Sequence, residues 1–331
     1  MIDRIAVAGA GRMGRGIALS YAWAGIPATL VDLKPRDAAA SEALFATARD
    51  EIANDLGLLE QLGLAPAGHA EVVLSRIHFA PLSEAAAGLD APLIYEGVPE
   101  VLEAKRSCFQ LLESLVSETA VIASTTSTFL VTDLQEMLVH RERFANAHWL
   151  NPAHLMPLVE ISRSDQTSQG TVSALRGSLE QIGKVPVVCG PAPGYIVPRI
   201  QALAMNEAAR MVEEGIASAE DIDKAVRTGF GLRFAVLGLL EFIDWGGGDI
   251  LYYASRYLSD ALGDRYRCPE VVSANMHSGR NGLRDGGGFY DYQSMDTTAY
   301  RQQRLTEFVR MLQFRQLVPV ADQAIIPTQS S

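Results

Sequence analysis

His148 and Glu160 are the residues whose types and spacing point most directly to chemistry. His148 ends one β-like apolar run, Phe144 to His148, and Glu160 lies in another, Leu158 to Ser162, with a loop rich in His, Asn and Pro between them. A strand, a turn and a second strand would bring the two side chains together. A carboxylate on one imidazole nitrogen fixes the tautomer and stabilises the cation formed when the other nitrogen takes a proton, which is what a general base requires. Taken alone, the same residues would also suit a hydrogen-bonded core histidine and a solvated strand-end glutamate. The choice depends on the company they keep.

That company begins at the start of the chain. The buried-strand run Ile5–Ala8 leads into Gly9-Ala10-Gly11-Arg12-Met13-Gly14, a helical pattern follows, and a second strand, Ala28–Val31, ends at Asp32. This is a dinucleotide-binding turn in its required context of strand, turn, helix and strand. Gly9 permits the tight turn, Gly11 lets a pyrophosphate approach the backbone, Gly14 lets helix and strand pack closely, and Arg12 and Met13 complete the cofactor-facing turn. The helix N-terminus offers free N–H groups and a positive dipole end to the phosphates. Asp32 can accept both adenosine ribose hydroxyls and would repel a 2′-phosphate, which selects NAD. Lys34 and Arg36 stand nearby as potential partners for that phosphate, but Asp32 itself favours NAD.

The elements that must position these groups read as α/β. Residues 37–75 are helical and Ala-rich, with breaks near Gly57, Gly63 and Pro66. Strand candidates Arg76–Phe79, Pro92–Tyr95 and Ala120–Ala123 interleave with helices near 83–88 and 101–116. Such alternation predicts a doubly wound, Rossmann-type parallel sheet with ligands beyond the carboxyl ends of its strands. Three clusters fall at such ends: Glu96-Gly97-Val98-Pro99-Glu100, the hydroxyl-rich Ser124–Thr128, and the His148 loop. Any one of the hydroxyl residues could equally cap the next helix. A helix over Gln169–Gln181 and a strand over Val185–Cys189 complete a domain of residues 1–190, and Gly190-Pro191-Ala192-Pro193-Gly194 reads as a linker. The remainder is all helical: a domain of residues 191–296, then a final helix and polar tail over 297–331. Within it, Phe234–Trp245 is apolar enough to be buried on several sides, and Gly286–Tyr292 reads as a turn with an aromatic anchor.

Composition narrows the function classes. The net charge is -11 and hydrophobic residues make up 48% of the chain, so disorder is not an option for the chain as a whole and neither nucleic acid nor an anionic membrane is an expected main partner. Cys108, Cys189 and Cys268 are few and widely spaced, which suits reduced thiols in a cytoplasm, and no Cys-x-x-Cys pair suggests zinc or redox work. No apolar segment reaches membrane-spanning length without charges. The expected partner is a small-molecule substrate.

Together these residues resemble the 3-hydroxyacyl-CoA dehydrogenase family across roughly residues 3 to 293. The matching stretches are Gly9–Gly16, Glu96–Lys105, Ala123–Thr128, His148–Pro152, Pro157–Ile161, Pro193–Arg199 and Gly288–Tyr292. The resemblance implies an N-terminal NAD domain, a C-terminal helical domain that forms a homodimer, and a His–Glu catalytic pair. By it, His148 is the general base for alcohol oxidation, Glu160 its orienting partner, and Ser127 the serine that hydrogen-bonds the reacting oxygen. Glu96, Lys105, Asn151 and Arg284 fall where the family contacts the cofactor, Arg284 in place of the usual lysine, and Asn151 with Ser127 would also meet the substrate.

Three departures bear on the substrate. Thr125 stands where an asparagine is usual. The family's Gly-Phe-Ile-Val-Asn-Arg is Gly194-Tyr195-Ile196-Val197-Pro198-Arg199 here, so Pro198 removes a substrate-facing amide. No lysine occurs between Lys34 and Lys105, where CoA-using members carry basic residues, and Asp55 falls at one such place. Gly229-Phe230-Gly231-Leu232-Arg233-Phe234-Ala235 resembles the branch acting on free acids such as gulonate and carnitine. Arg233 there could bind a substrate carboxylate through two parallel hydrogen bonds, or simply cap a helix or pair with a surface carboxylate. A short free 3-hydroxy acid is therefore the expected substrate, with an L-3-hydroxyacyl-CoA such as 3-hydroxybutyryl-CoA as the alternative. Two other readings remain: a 3-hydroxyisobutyrate or 6-phosphogluconate type of enzyme, which uses a lysine in a glycine-rich helix whereas Lys184 lies in Gly183-Lys184-Val185-Pro186 entering a strand, and a catalytically idle NAD-binding structural or sensor protein.

Overall fold

The computed structural model describes residues 1–319. Its organising element is an eight-stranded sheet, ordered β3-β2-β1-β4-β5-β6-β7-β8. In chain order the first elements are β1 (Ile5–Ala8), α1 (Arg12–Trp23), β2 (Ala28–Val31), α2 (Ala38–Gln61), α3 (His69–Leu74), β3 (Ile77–Ala80), α4 (Ala85–Gly88) and β4 (Leu93–Glu96). Then come α5 (Leu102–Leu115), β5 (Val121–Ser124), α6 (Val131–Gln135), β6 (Phe144–Trp149), β7 (Leu158–Ser162), α7 (Gln169–Gln181) and β8 (Val185–Cys189). All neighbouring strands are parallel except the β6–β7 pair. The strands are short apolar runs because helices cover both faces. One face packs Ile17, Tyr21, Leu30, Trp149 and Leu175 into a core, and the other packs Ile94, Phe109, Leu112, Leu134 and Phe144. The predicted doubly wound architecture is thus observed.

Several boundaries differ from the sequence reading, and the differences matter to the site. β3, β4 and β5 each run one residue further than expected, so Glu96 and Ser124 are the last strand residues rather than loop residues. Gly57 does not break α2. Asp37 caps that helix by accepting from the Ala40 amide, and one interior glycine costs about 1 kcal/mol, which a long packed helix absorbs. The break comes after Gln61, where Gly63 and Gly68 both take positive φ.

Helix α8 spans Val197–Glu213, and the two compact units divide inside it, between Ala204 and Met205. The reason is local. The amides of Ile196 and Val197 both donate to Glu160, which binds the start of α8 to the sheet unit.

The second unit is helical: α9 (Ala219–Ala225), α10 (Gly231–Phe234), α11 (Leu239–Gly246), α12 (Gly248–Leu262), α13 (Glu270–His277) and α14 (Thr297–Phe314). A π-helical turn, Val226–Phe230, joins α9 to α10. The apolar run Phe234–Trp245 is partly exposed in the single chain, with Leu240 47% exposed, while Asp244 within it is 2% exposed. Asp244 accepts from the amides of Phe289 and Tyr290 and from the Tyr292 hydroxyl. A Cβ on Gly288 would stand 2.1 Å from the Asp244 carboxylate, which explains a glycine in that aromatic turn. No helix among the described residues is long and apolar enough to cross a membrane. The expected polar tail beyond residue 319 lies outside the described residues.

Candidate active site

The antiparallel register sets His148 directly opposite Glu160, so the two side chains project to the same face of the sheet. His148 Nδ1 lies 2.9 Å from Glu160 Oε2, with His148 6% exposed and Glu160 0%. An ionised carboxylate only accepts, so Nδ1 carries the proton and Nε2 is left with a free lone pair. The other carboxylate oxygen, Oε1, accepts from the Ile196 and Val197 amides, each at 2.9 Å. A buried carboxylate with three donors is firmly held, and it holds the imidazole in the tautomer of a base.

His148 and Trp149 line one end of a cavity of about 510 Å³ whose other walls come from the carboxyl ends of β1, β2, β4 and β5. The glycine turn closes that cavity. Gly9, at φ 123°, has no room for a side chain, since a Cβ would lie 2.7 Å from the Gly97 carbonyl oxygen. A Cβ on Gly14 would lie 2.1 Å from Gly9 O, whereas nothing stands within 4 Å of one on Gly11. That open approach lies at the N-cap of α1, where no side chain caps the helix. Unclaimed N–H groups beside open space suit a pyrophosphate. Gly9, Gly11, Arg12 and Met13 line the cavity, while Gly14 supports it from behind. Asp32 lines it too, 5% exposed, and Arg36 Nε donates to its Oδ2 at 2.6 Å. The residues therefore fit NAD: a cradle for phosphates, and a carboxylate for the ribose that also engages the nearest arginine.

The acidic cluster after β4 separates into two roles. Glu96, one of the expected cofactor contacts, is 0% exposed and does not line the cavity. Its carboxylate accepts from Lys105 Nζ at 3.0 Å, from the Ser124 hydroxyl and from the Val98 amide. Burial raises the pKa of Glu96, against the pull of Lys105. Glu100 reaches the cavity instead, and sequence reasoning did not single it out as a site residue. It accepts from the Ser127 amide at 2.7 Å and the Thr126 hydroxyl at 2.9 Å, and Lys105 Nζ lies 3.3 Å away. Burial alone would raise its pKa, but the Ser127 amide, Lys105 and Thr126 hold it below the ordinary carboxylate value. Lys105, 1% exposed, thus bridges a buried acid and a cavity acid. Ser127 is exposed and lines the cavity with His148.

Asn151 is exposed and does not line this cavity, because the chain turns away after Trp149. The loop that follows is pinned by Lys184, whose Nζ donates to the carbonyls of Ala153 (2.6 Å) and Met156 (2.8 Å) and lies over the Trp149 ring. Lys184 is buried in that role and does not line the cavity, which removes it as a catalytic lysine. Arg233 and Arg284 belong to the second unit. Arg233 is exposed just beyond the π-helical turn, its guanidinium 4.6 Å from the centre of the Phe242 ring. Arg284 pairs with Asp249 at 2.8 Å and with Asp285 at 3.6 Å.

Comparison with known proteins agrees with this geometry. Residues 4–192 match the NAD-binding domain of 3-hydroxyacyl-CoA dehydrogenase, and residues 194–292 match its C-terminal domain. A 5-formyl-3-hydroxy-2-methylpyridine 4-carboxylate 5-dehydrogenase of Mesorhizobium japonicum is 30% identical over 312 residues, 93% of this chain and 97% of that protein. A probable 3-hydroxybutyryl-CoA dehydrogenase of Deinococcus radiodurans is 32% identical over 293 residues, 87% of this chain and 100% of that protein. Among solved structures, a 3-hydroxyacyl-CoA dehydrogenase of Archaeoglobus fulgidus aligns with a TM-score of 0.75 at 33% identity, covering 95% of this chain and 99% of that one.

Proposed function

The chain belongs to the 3-hydroxyacyl-CoA dehydrogenase family and is an NAD-dependent oxidoreductase, and we propose that it oxidises the 3-hydroxyl of a short free 3-hydroxy acid to a ketone. The observation that carries the chemistry is the imidazole of His148, oriented by Glu160 and lining the nucleotide cavity. His148 Nε2 accepts the hydroxyl proton, and in the reverse direction the imidazolium returns it to the ketone oxygen. NAD, when bound, supplies the hydride acceptor. Glu160 keeps Nδ1 protonated and balances the charge that forms on the ring. Ser127, whose hydroxyl donates to Glu100 at 3.3 Å in the structure, would turn that proton to the reacting oxygen as the oxygen gains negative charge. Acid–base help of this kind is worth on the order of 10²–10⁴ in rate.

The preference for a free acid rests on charge. Between residues 37 and 75 the only arginine, Arg49, lies over the Phe79 ring, while Asp37, Glu42, Asp50, Glu51, Asp55, Glu60 and Glu71 surround it in sequence. Asp55 is half exposed beside His154. Such a surface suits the phosphates of CoA poorly, although exposed charges are screened over about 8–10 Å in physiological salt. The Mesorhizobium relative is named for a free carboxylate substrate. Arg233 is the candidate anchor for that carboxylate, and Asn151 and Arg284 are retained as candidate ligand contacts. The acyl-CoA reading has its own support, since the Deinococcus and Archaeoglobus relatives are named for thioesters at similar identity. A homodimer through the helical unit fits the apolar stripe of Ile250, Tyr253 and Tyr257 on α12, each more than half exposed.

An NADH-oxidation screen comparing acetoacetyl-CoA with a panel of free 3-oxo acids tests the proposal. We expect higher kcat/KM with a free acid and a strongly raised KM for it in Arg233→Met. Efficient turnover of acetoacetyl-CoA, unaffected by Arg233→Met, would overturn the free-acid reading in favour of the thioester.

A further inference from the structure

Tyr195 contacts both halves of the proposed catalytic apparatus, yet the mechanism above gives it no task. Its backbone lies at φ 47°, a left-handed conformation uncommon for a non-glycine residue, so its contacts must hold it there. Those contacts are specific. The ring stacks on the His148 imidazole with centroids 4.8 Å apart and planes 14° from parallel. The hydroxyl donates to the Thr126 carbonyl at 2.7 Å and accepts from Asn146 Nδ2 at 3.1 Å. The residue is 6% exposed, and the next two amides in the chain are the ones that bind Glu160.

We propose that Tyr195 is a positioning residue that ties the base to the serine loop, its ring setting the plane of His148 and its hydroxyl setting Thr126 and therefore Ser127. Glu160 holds the imidazole at one in-plane nitrogen, and a stacked ring resists the tilt which that single hydrogen bond allows. On the other side, Glu100 accepts from the Thr126 hydroxyl and from the amide and hydroxyl of Ser127. The Tyr195 hydroxyl takes a backbone group of Thr126 that Glu100 does not, its carbonyl. A reacting oxygen that must meet both His148 Nε2 and the Ser127 hydroxyl gains from a fixed separation between them, because small misplacements cost large factors in rate. Burial pushes the phenol pKa up, so the hydroxyl remains a donor at working pH. The family pattern has phenylalanine here: the stack is available to such a ring, but the bridge to Thr126 needs the hydroxyl. The charged or titratable groups nearest the stack are Glu160 on β7, Glu100 after β4 and the Cys189 thiol at the end of β8.

The inference rests on His148 as base and Ser127 as donor, and is independent of whether the substrate is a free acid or a thioester. The experiment compares Tyr195→Phe and Tyr195→Leu with His148→Ala in the full chain, using NADH and the best 3-oxo substrate. Tyr195→Phe leaves a buried carbonyl without its donor, a loss that corresponds to about 10-fold in kcat. KM and NADH affinity by fluorescence titration should stay unchanged. Tyr195→Leu should be worse by a further factor on the order of 10, so that phenylalanine partly rescues the leucine defect. In a Ser127→Ala background Tyr195→Phe should have almost no further effect, because the hydroxyl acts through that loop. Full activity in Tyr195→Phe, or an equal loss with and without Ser127, would overturn the inference. Retained turnover in His148→Ala would instead overturn the mechanism on which it rests. Tyr195→Phe is close to isosteric, and a melting temperature near that of the wild type separates a kinetic defect from misfolding.

Discussion

Replacing Glu160 with glutamine tests the centre of the mechanism with little change of shape. The carboxylate serves two masters: Oε1 takes the Ile196 and Val197 amides, and Oε2 faces His148 Nδ1. Glutamine has one carbonyl oxygen and one NH2 group. Two fixed backbone donors against one imidazole decide its orientation, so the oxygen stays with the amides and the NH2 turns to Nδ1. Nδ1 must then accept, the proton moves to Nε2, and the ring presents a donor where a base is needed. The expected loss in kcat for alcohol oxidation is on the order of 10²–10⁴, the full worth of general base catalysis. Stability should fall little, because the amides keep their acceptor. Glu160→Ala removes both functions, and two buried amides without partners should cost about 1–3 kcal/mol each in urea unfolding. In kcat, His148→Ala combined with Glu160→Ala should be little worse than His148→Ala alone, while the stability loss should persist in the double variant. The assays are steady-state NADH formation and urea denaturation at pH 7. A Glu160→Gln enzyme within about threefold of wild-type kcat would refute the tautomer argument.

Other perturbations follow from the same contacts. Asp32→Ala should weaken NAD by a factor on the order of 10–100 through lost hydrogen bonds to a charged acceptor, and should release Arg36 to favour NADP; an unchanged NAD/NADP ratio in kcat/KM would contradict the role given to Asp32. Lys184→Met leaves the carbonyls of Ala153 and Met156 without their donor and should cost about 2–3 kcal/mol in urea unfolding, with NADH binding retained. Glu100 has a depressed folded-state pKa, so its stabilising contribution is present above the unfolded value near 4.5 and is lost as pH falls through the folded value. The stability difference between wild type and Glu100→Gln should therefore be largest at neutral pH and shrink below pH 4.5; a difference that grew on acidification would reverse the assigned sign.

How much of this was legible depended on how far apart in the chain the partners lie. The glycine turn, Asp32 and the His148–Glu160 pair could be read because each belongs to a local supersecondary unit, either strand–turn–helix–strand or a strand pair. Their types and spacing dictate the contact. Glu96 and Glu100 show the limit. Both are acids beside the end of β4, and composition alone does not say which one is folded inward onto Lys105 and which one reaches the cavity. The strand end made the difference: β4 continues through Glu96, which buries its side chain, and the chain then turns at Gly97 to leave Glu100 at the surface of the site. Tyr195 was less visible still. Its hydroxyl meets a carbonyl 69 positions earlier, and no periodicity encodes such a contact. The Pro/Gly-rich segment Gly190–Gly194 reads as a linker in composition, but the sequence does not show that Glu160 holds the amides just beyond it.

The sheet order explains why the glycine turn and His148 line one cavity. The chain runs outward through β1, β2 and β3, then returns to lay β4 on the other side of β1, so the order reverses between β1 and β4. At that point the loops after the two strands diverge to opposite faces and leave a crevice. Here the crevice is tight enough for Gly9 to meet Gly97, whose amide donates to the Ala8 carbonyl. β5 and β6 continue in parallel from β4, which brings Thr126, Ser127 and His148 to the same edge. Had β7 also run parallel, the residue beside His148 would have come from a strand end reached through another crossover. The antiparallel turn instead returns the chain at once and places Glu160 opposite His148. A one-residue slip in that pairing would put the two side chains on opposite faces of the sheet. The His148–Glu160 pair is therefore specified by the register of β6 on β7, and that register is set by the apolar alternation of Ala147, Trp149, Val159 and Ile161, all buried in the same core.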